Sequence, residues 1–336
     1  MCTRVLYTGQ QNTVITGRSM DWNEDLSSDL WAFPRGIQRT SPGSRNPVSW
    51  VSKYGSVALS AYNAATADGM NEKGLVANLL YLAESNYGAP DNRPVLSIAM
   101  WIQYVLDNFG SVTEAVAELQ KDAFRIGPFM TPNNRPASMH LAISDPTGDS
   151  AIVEYLEGKV TIHHDKKYQV MTNSPVFDQQ LALNAYWKHI GGMTFMPGTI
   201  SAADRFVRVS FFNDALPKTV DKNYISAVAD QSFENQALAS VLGAVRAVGV
   251  PLGINSPTEP NISSTIWRTL SDQKNLRYYF DSAMSPCICW VDLNKINFDA
   301  GQQPKKLPLA AGVIQSGETS EKFVAAPLFE FFKPAN

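Results

Sequence analysis

A chain of 336 residues with 44% apolar and 18% charged residues carries ample material for a folded core. Its formal net charge of -3 at pH 7 favours neither nucleic acid nor an acidic membrane surface as a partner, which leaves a small molecule as the default. No apolar run is long enough to span a bilayer, so membrane insertion is not expected. Met1-Cys2-Thr3-Arg4 leads straight into a strand pattern, with no visible signal peptide. The expected compartment is the cytoplasm if Met1 is the native start, and an exported one if a leader has been trimmed.

Residues 3–7 and 13–20 predict two strands joined by a turn at Gln10-Gln11-Asn12, so the chain is expected to open with a hairpin. Ser41-Pro42-Gly43-Ser44-Arg45-Asn46-Pro47 is a turn-rich loop, too short for a domain boundary. Strand signals follow at 56–62 and 75–82. Helical patterns cover 95–109 and the stretch opened by Ser111, a capping residue with Glu114 three positions on. Strands at 139–144, 151–156 and 159–164 are joined by Asp145-Pro146-Thr147-Gly148-Asp149 and by Glu157-Gly158, and 168–172 adds another. Helical patterns return at 177–189, 202–215 and 233–248, and strands at 265–271, 276–280 and 288–293. Runs of strands separated by blocks of helix point to two sheets covered by helices. With no repeat, low-complexity block or Pro/Gly/Ser-rich linker, residues 1–336 are expected to form one domain. No glycine-rich loop follows a strand, which disfavours nucleotide binding.

Chemistry starts at Cys2. A methionine that precedes a small residue is favoured for removal, which would leave Cys2 with a free α-amine beside its thiol. A free thiol has a pKa near ~8.5 and an α-amine near ~7.7–8.0. One residue could then supply both nucleophile and base, as N-terminal threonine enzymes do. Gly17-Arg18-Ser19-Met20-Asp21-Trp22 lies at the end of the second strand, which a hairpin brings back beside Cys2. A guanidinium there would favour the thiolate, and a carboxylate could hold the amine. Arg18 and Asp21 are odd-spaced, so a regular strand would point them to opposite faces and a bend or strand end would be needed to converge them. A surface ion pair is the structural alternative for the two. Cys287 and Cys289 share one face of a predicted strand and read as small apolar residues. The four histidines (His140, His163, His164, His189) have no metal-ligand spacing, so no metal and no cofactor are expected.

Met1-Cys2-Thr3, the Gly17–Trp22 run, and Asp68-Gly69-Met70-Asn71-Glu72-Lys73-Gly74-Leu75 together resemble the choloylglycine hydrolase family. That family contains conjugated bile salt hydrolases and penicillin V acylases. Met171-Thr172-Asn173-Ser174-Pro175, Ala203-Asp204-Arg205-Phe206-Val207-Arg208 and Ser271-Asp272-Gln273-Lys274-Asn275 continue the likeness in the family's order. The resemblance implies an α+β fold, the four-layer αββα sandwich of two antiparallel sheets found in N-terminal nucleophile hydrolases. It also implies roles. Cys2 would be the nucleophile and its own amine the base. Arg18 and Asp21 would set the thiol and amine states. Asn173 and the Tyr81 N–H would bind the oxyanion, and Arg205 would complete the polar network. From the residues alone, Asn173 could equally stabilise a turn, Arg205 could lie on a solvated helix face, and Asn71 reads as structural.

The resemblance implies a small-molecule linear amide as substrate. In the family, the Tyr81 position is often Asn in bile salt hydrolases and Tyr in penicillin V acylases, so Tyr81 leans towards the acylases. The segment 186–193 is short where Gram-positive members carry an insertion that helps assemble tetramers. This points to the Gram-negative branch, commonly exported to the periplasm, with acylases for penicillin V and for N-acyl homoserine lactones. A homo-oligomer is expected, with the tetramer as precedent. Trp22, Tyr62, Tyr81, Tyr87 and Phe129 are candidates to line an apolar acyl pocket, or else core aromatics. Conjugated bile salt hydrolysis is the alternative activity. Alternatives of other classes are a silent binding protein on the same scaffold, and a thiol redox protein using Cys287 and Cys289.

Overall fold

The computed structural model describes residues 1–132, 134–191, 194–254, 263–285 and 287–335. β1 (Cys2–Thr8) and β2 (Val14–Trp22) form the expected hairpin, joined by a turn in which Gln11 and Asn12 take the left-handed conformation. The register pairs Cys2 with Met20 and Arg4 with Arg18. Side chains alternate faces along each strand. Cys2, Arg18 and Met20 therefore share one face, while Thr3, Val5, Gly17 and Asp21 share the other.

Among the described residues, the first sheet has seven strands. Their order is Val170–Met171, β1, β2, Ser264–Asp272, Arg277–Ser282, Ile288–Asp292 and Gly317–Glu318. The second has nine, in the order Lys159–His164, Ser150–Leu156, Met139–Ser144, Val76–Tyr81, Ala65–Asn71, Ser56–Ala61, Leu30–Phe33, Lys305–Leu307 and Val324–Ala325. Neighbours are antiparallel except Ile288–Asp292 and Gly317–Glu318, which run parallel. Helices α1 (Trp101–Asn108) and α2 (Val112–Leu119) cover the second sheet. Of the remaining helices, α3 (Phe177–Ile190) lies on α4 (Ala202–Ala215), and α4 and α5 (Phe233–Ala247) cover the first sheet. The layers run helix, sheet, sheet, helix, the αββα arrangement. Among the described residues no helix is long and apolar enough to cross a membrane.

The close seat of α5 has a local cause. A Cβ at Gly17 would stand 2.8 Å from Val245 and 3.0 Å from Val241, so the bare backbone of β2 lets the helix approach. Fully burying such a valine contributes roughly 1.5–3 kcal/mol, and any side chain at 17 would push the helix off the sheet. The helix starts follow the caps: Ser111, Ser201 and Ser232 accept hydrogen bonds from Glu114, Asp204 and Asn235 N–H.

Two of the stretches that differ from expectation show why local pattern fails. The helix predicted over 95–109 begins only at Trp101. Val95–Ser97 is a strand parallel to Arg125–Gly127, and a 3-10 turn over Ile98–Met100 follows. Tertiary pairing outweighs local helical pattern there. Ala65–Asn71 is an unpredicted strand, buried along its whole length between two neighbours. A strand covered on both faces shows no alternation, which hides it from pattern reading. Asn71 ends that strand, and its amide donates to the carbonyls of Leu106 and Phe109, closing the end of α1. Of the short segment 186–193, Gly192 and Met193 lie outside the described residues.

Candidate active site

Cys2 sits at the open end of β1, and its two chemical ends face different layers. The thiol points between the sheets. There Arg18 Nη2 lies 3.6 Å from Sγ and also donates to the Leu79 carbonyl at 2.9 Å. The guanidinium stacks 4.5 Å from the Trp267 ring centroid and stands 3.9 Å from Asp68. Asp68 in turn accepts from Asn78 at 2.7 Å and Tyr278 at 2.5 Å. Burial pushes the Asp68 carboxyl up, which Arg18 and the Tyr278 and Asn78 hydrogen bonds oppose.

The main chain of Cys2 points towards the helical layer. Its N–H donates to Asn173 Oδ1 at 2.6 Å, and its carbonyl accepts from Arg205 Nη1 at 2.7 Å. Arg205 reaches over from α4, donates to Asn173 Oδ1 at 2.9 Å and to Thr3 Oγ1, and stands 3.5 Å from Asp21. Asp21 Oδ1 accepts from Thr265, while its Oδ2 is buried with no hydrogen-bond partner among the described residues. The Met1 amine donates to the Asp21 carbonyl at 2.6 Å, and burial lowers its pKa. Arg18 and Asp21 thus point to opposite faces of a regular β2. No bend converges them, and none is needed, because thiol and main chain of Cys2 diverge in the same way.

Asn173 follows the short strand Val170–Met171, before a cis Ser174–Pro175 bond. Its Oδ1 faces two donors, Cys2 N–H and Arg205, and its Nδ2 donates to the Tyr81 carbonyl at 2.7 Å. Those neighbours fix the amide orientation. The strand Val76–Tyr81 pairs with Ala65–Asn71 only as far as Asn78. Beyond that its edge is open, so the Leu79 and Tyr81 main chains face Arg18 and Asn173. The loop is held from behind. Gln180 donates to the Asn173 carbonyl, and His140 bridges the Thr172 carbonyl at 3.0 Å and Glu154 at 3.1 Å.

Burial pushes the Glu154 carboxyl up, but the hydrogen bond and charge of His140, the His163 ring 3.8 Å away and the Phe177 N–H outweigh it and hold it at about 2. A depressed carboxyl contributes stability above its ordinary value of 4.5 that is lost as pH falls towards 2. That contribution is on the order of 3 kcal/mol. Unfolding free energies measured in denaturant at pH 6 and pH 3 should drop less in Glu154→Gln than in the wild type. An equal drop in the two would remove Glu154 from the account.

Cys2 Sγ opens on a pocket with about 600 Å³ of empty space, mouth included. Trp22, Leu26, Tyr62, Ala99, Phe129 and Met139 are among its walls. Arg18 is the one charged side chain in that lining among the described residues. Trp22 donates to the Tyr62 hydroxyl at 2.8 Å, which bonds Glu24. Tyr87 is not in this lining. Its hydroxyl is engaged with both the N–H and the carbonyl of Met139, and its ring packs on Tyr155. A second, smaller hollow shares Trp22, Tyr81, Thr131 and Met139 with this lining and adds Met1, Arg135 and Ser263; Arg135 is exposed and is its one charged side chain among the described residues.

Residues 2–305 match the family described as linear amide C–N hydrolases, choloylglycine hydrolase family. The chain belongs to the choloylglycine hydrolase family. It is 47% identical to a penicillin V acylase of Pectobacterium atrosepticum, over 98% of this chain and 92% of that protein. The structure of a penicillin V acylase from Agrobacterium tumefaciens is 48% identical, with a TM-score of 0.89 over 99% of this chain and 100% of that one. A bile salt hydrolase/transferase of Clostridium perfringens is 28% identical over 90% of this chain and 95% of that protein.

Sequence reasoning missed Asp68, Asn78, Tyr278, Trp267 and Thr265, which hold Arg18 and Asp21 in place. Asp68 stands within a quoted motif, so a signal for it existed; the others come from three further strands. Burial pushes the Cys289 thiol up to about 11, an environment that disfavours a redox-active thiolate.

Proposed function

We propose that this hydrolase, once Met1 is removed, cleaves amides with a compact apolar acyl group such as phenoxyacetyl and an amine fragment that carries a carboxylate. Phenoxymethylpenicillin has both features. The observation that carries the reading is the thiol of Cys2 opening into a pocket walled by Trp22, Tyr62, Phe129 and aliphatic side chains. Arg135 in the adjoining hollow supports the carboxylate, since it is exposed and free of ion pairs among the described residues.

Cys2 Sγ attacks the amide carbon, and the carbonyl oxygen becomes an oxyanion that accepts from Asn173 Nδ2 and the Tyr81 N–H. The α-amine of Cys2 takes the thiol proton and passes it to the nitrogen of the scissile bond. That bond breaks, and the amine leaves a thioester. Water, deprotonated by the same amine, adds to the thioester and releases the acid and the thiol. Arg18 beside Sγ stabilises negative charge on sulfur. Arg205 and Asp21 position the amine and the Cys2 carbonyl. The Gram-negative branch resembled supports export to the periplasm and assembly as a homo-oligomer.

Steady-state rates on phenoxymethylpenicillin, a C10 acyl homoserine lactone and glycocholate test the substrate. The penicillin should have the highest kcat/KM. Glycocholate first would move the reading to conjugated bile salts, and the lactone first would remove the carboxylate from it.

A further inference from the structure

The segment from Ala326 to Ala335 has no regular secondary structure, yet it crosses the outer wall of the acyl pocket. It is anchored at both ends. The Ala326 N–H donates to the Pro304 carbonyl and the Ala335 N–H to the Pro128 carbonyl. Between them Phe329 packs edge-on against Trp31, with ring centroids 4.9 Å apart, and Phe331 packs on Phe329 at 4.7 Å. Gly127 admits the segment closely: a Cβ there would stand 2.9 Å from Pro334.

Phe332 is the point where this segment meets the pocket. Its ring stacks on Phe129 at 4.6 Å, with planes 27° apart, and lies 6.4 Å from the Tyr62 ring. Its N–H donates to the Ala64 carbonyl at 2.8 Å, inside the hairpin turn where Tyr62 and Asn63 take the left-handed conformation. Its carbonyl accepts from Ser97 Oγ at 2.8 Å, and that hydroxyl also accepts from the Ala99 N–H. Phe129, Tyr62 and Ala99 are three walls of the pocket, contributed by three separate stretches of chain. Each is tied to residue 332. Residue 332 itself does not line the pocket.

We propose that Phe332 is a positioning residue that sets the width of the acyl pocket, so that the C-terminal segment selects the acyl groups Cys2 accepts. The proposal rests on the reading of this pocket as the acyl site. Removing the ring takes away the stacking partner of Phe129 and lets its wall move outward. A compact aromatic acyl group then loses contact, while a longer one gains room.

The test is kcat/KM on two amides of one amine, phenoxyacetylglycine and decanoylglycine, for wild type, Phe332→Ala and Phe332→Tyr, with melting temperatures for each. Phe332→Ala should move the ratio towards decanoyl by about tenfold or more. Phe332→Tyr, which keeps the stacked ring, should restore the wild-type ratio. An equal fall on both substrates overturns the proposal, because a merely structural role lowers both alike. If Phe332→Ala does not fold, Phe332→Leu keeps the volume without the stack and decides by the same ratio. A wild type that cleaves neither amide would instead defeat the underlying reading of the pocket.

Discussion

Cys2→Ala should abolish hydrolysis of every amide that the wild type cleaves, by on the order of 10⁴–10⁶-fold, with the fold retained. The Cys2 sulfur lies in the pocket lining, buried beside Arg18 and Met20. Losing one small buried atom costs roughly 1 kcal/mol of stability, too little to unfold the chain. The same loss of activity should follow when Met1 stays in place, for a different reason. The Cys2 nitrogen is then a peptide N–H bonded to Asn173 Oδ1, with no lone pair to take the thiol proton. The amine that exists is that of Met1, turned to the Asp21 carbonyl and Ser263. Intact mass and a single-turnover burst of released amine, measured on processed and unprocessed protein, separate the two causes. Turnover by Cys2→Ala, or by protein of full Met1 mass, would sink the mechanism.

What could be read in advance follows the range over which each signal acts. The opening hairpin, the capped helices over 202–215 and 233–247 and the strand Met139–Ser144 are written in local pattern, and they stand within a residue or two of expectation. Ala65–Asn71 is not, because its burial comes from neighbours on both sides. In the site, period-two arithmetic correctly set Arg18 and Asp21 on opposite faces. The added demand for a bend came from assuming that both act on one end of Cys2. Asn173 and Arg205 lie 171 and 203 residues from Cys2, so no spacing argument joins them to it, and only the motif likeness brought them into view. Aromatic content could not sort Tyr87 from Phe129. One spans the Met139 backbone and the other walls the pocket, a difference made by which loop each stands on. Phe332 carried no signal, since its role depends on three walls that meet only in the fold.

Asn173→Ala should lower kcat by roughly 10²–10³ and leave KM within a few-fold, the mark of an interaction made in the transition state. One Nδ2 hydrogen is engaged with the Tyr81 carbonyl, and the other is free to meet the oxyanion that forms over Cys2. The substitution has a second consequence. It leaves the Cys2 N–H and one Arg205 nitrogen without their shared acceptor, so the nucleophile itself loses an anchor. Two readouts tell these apart. Phenoxyacetaldehyde, which Cys2 can convert to a thiohemiacetal, places a hydroxyl or oxyanion where the transition state has one. If Asn173 acts as donor, its inhibition constant rises in parallel with the fall in kcat. If Asn173 only anchors Cys2, alkylation of the thiol by iodoacetamide changes instead, and the aldehyde tracks that change. A kcat within tenfold of wild type would take Asn173 out of the oxyanion site and leave the Tyr81 N–H as its donor.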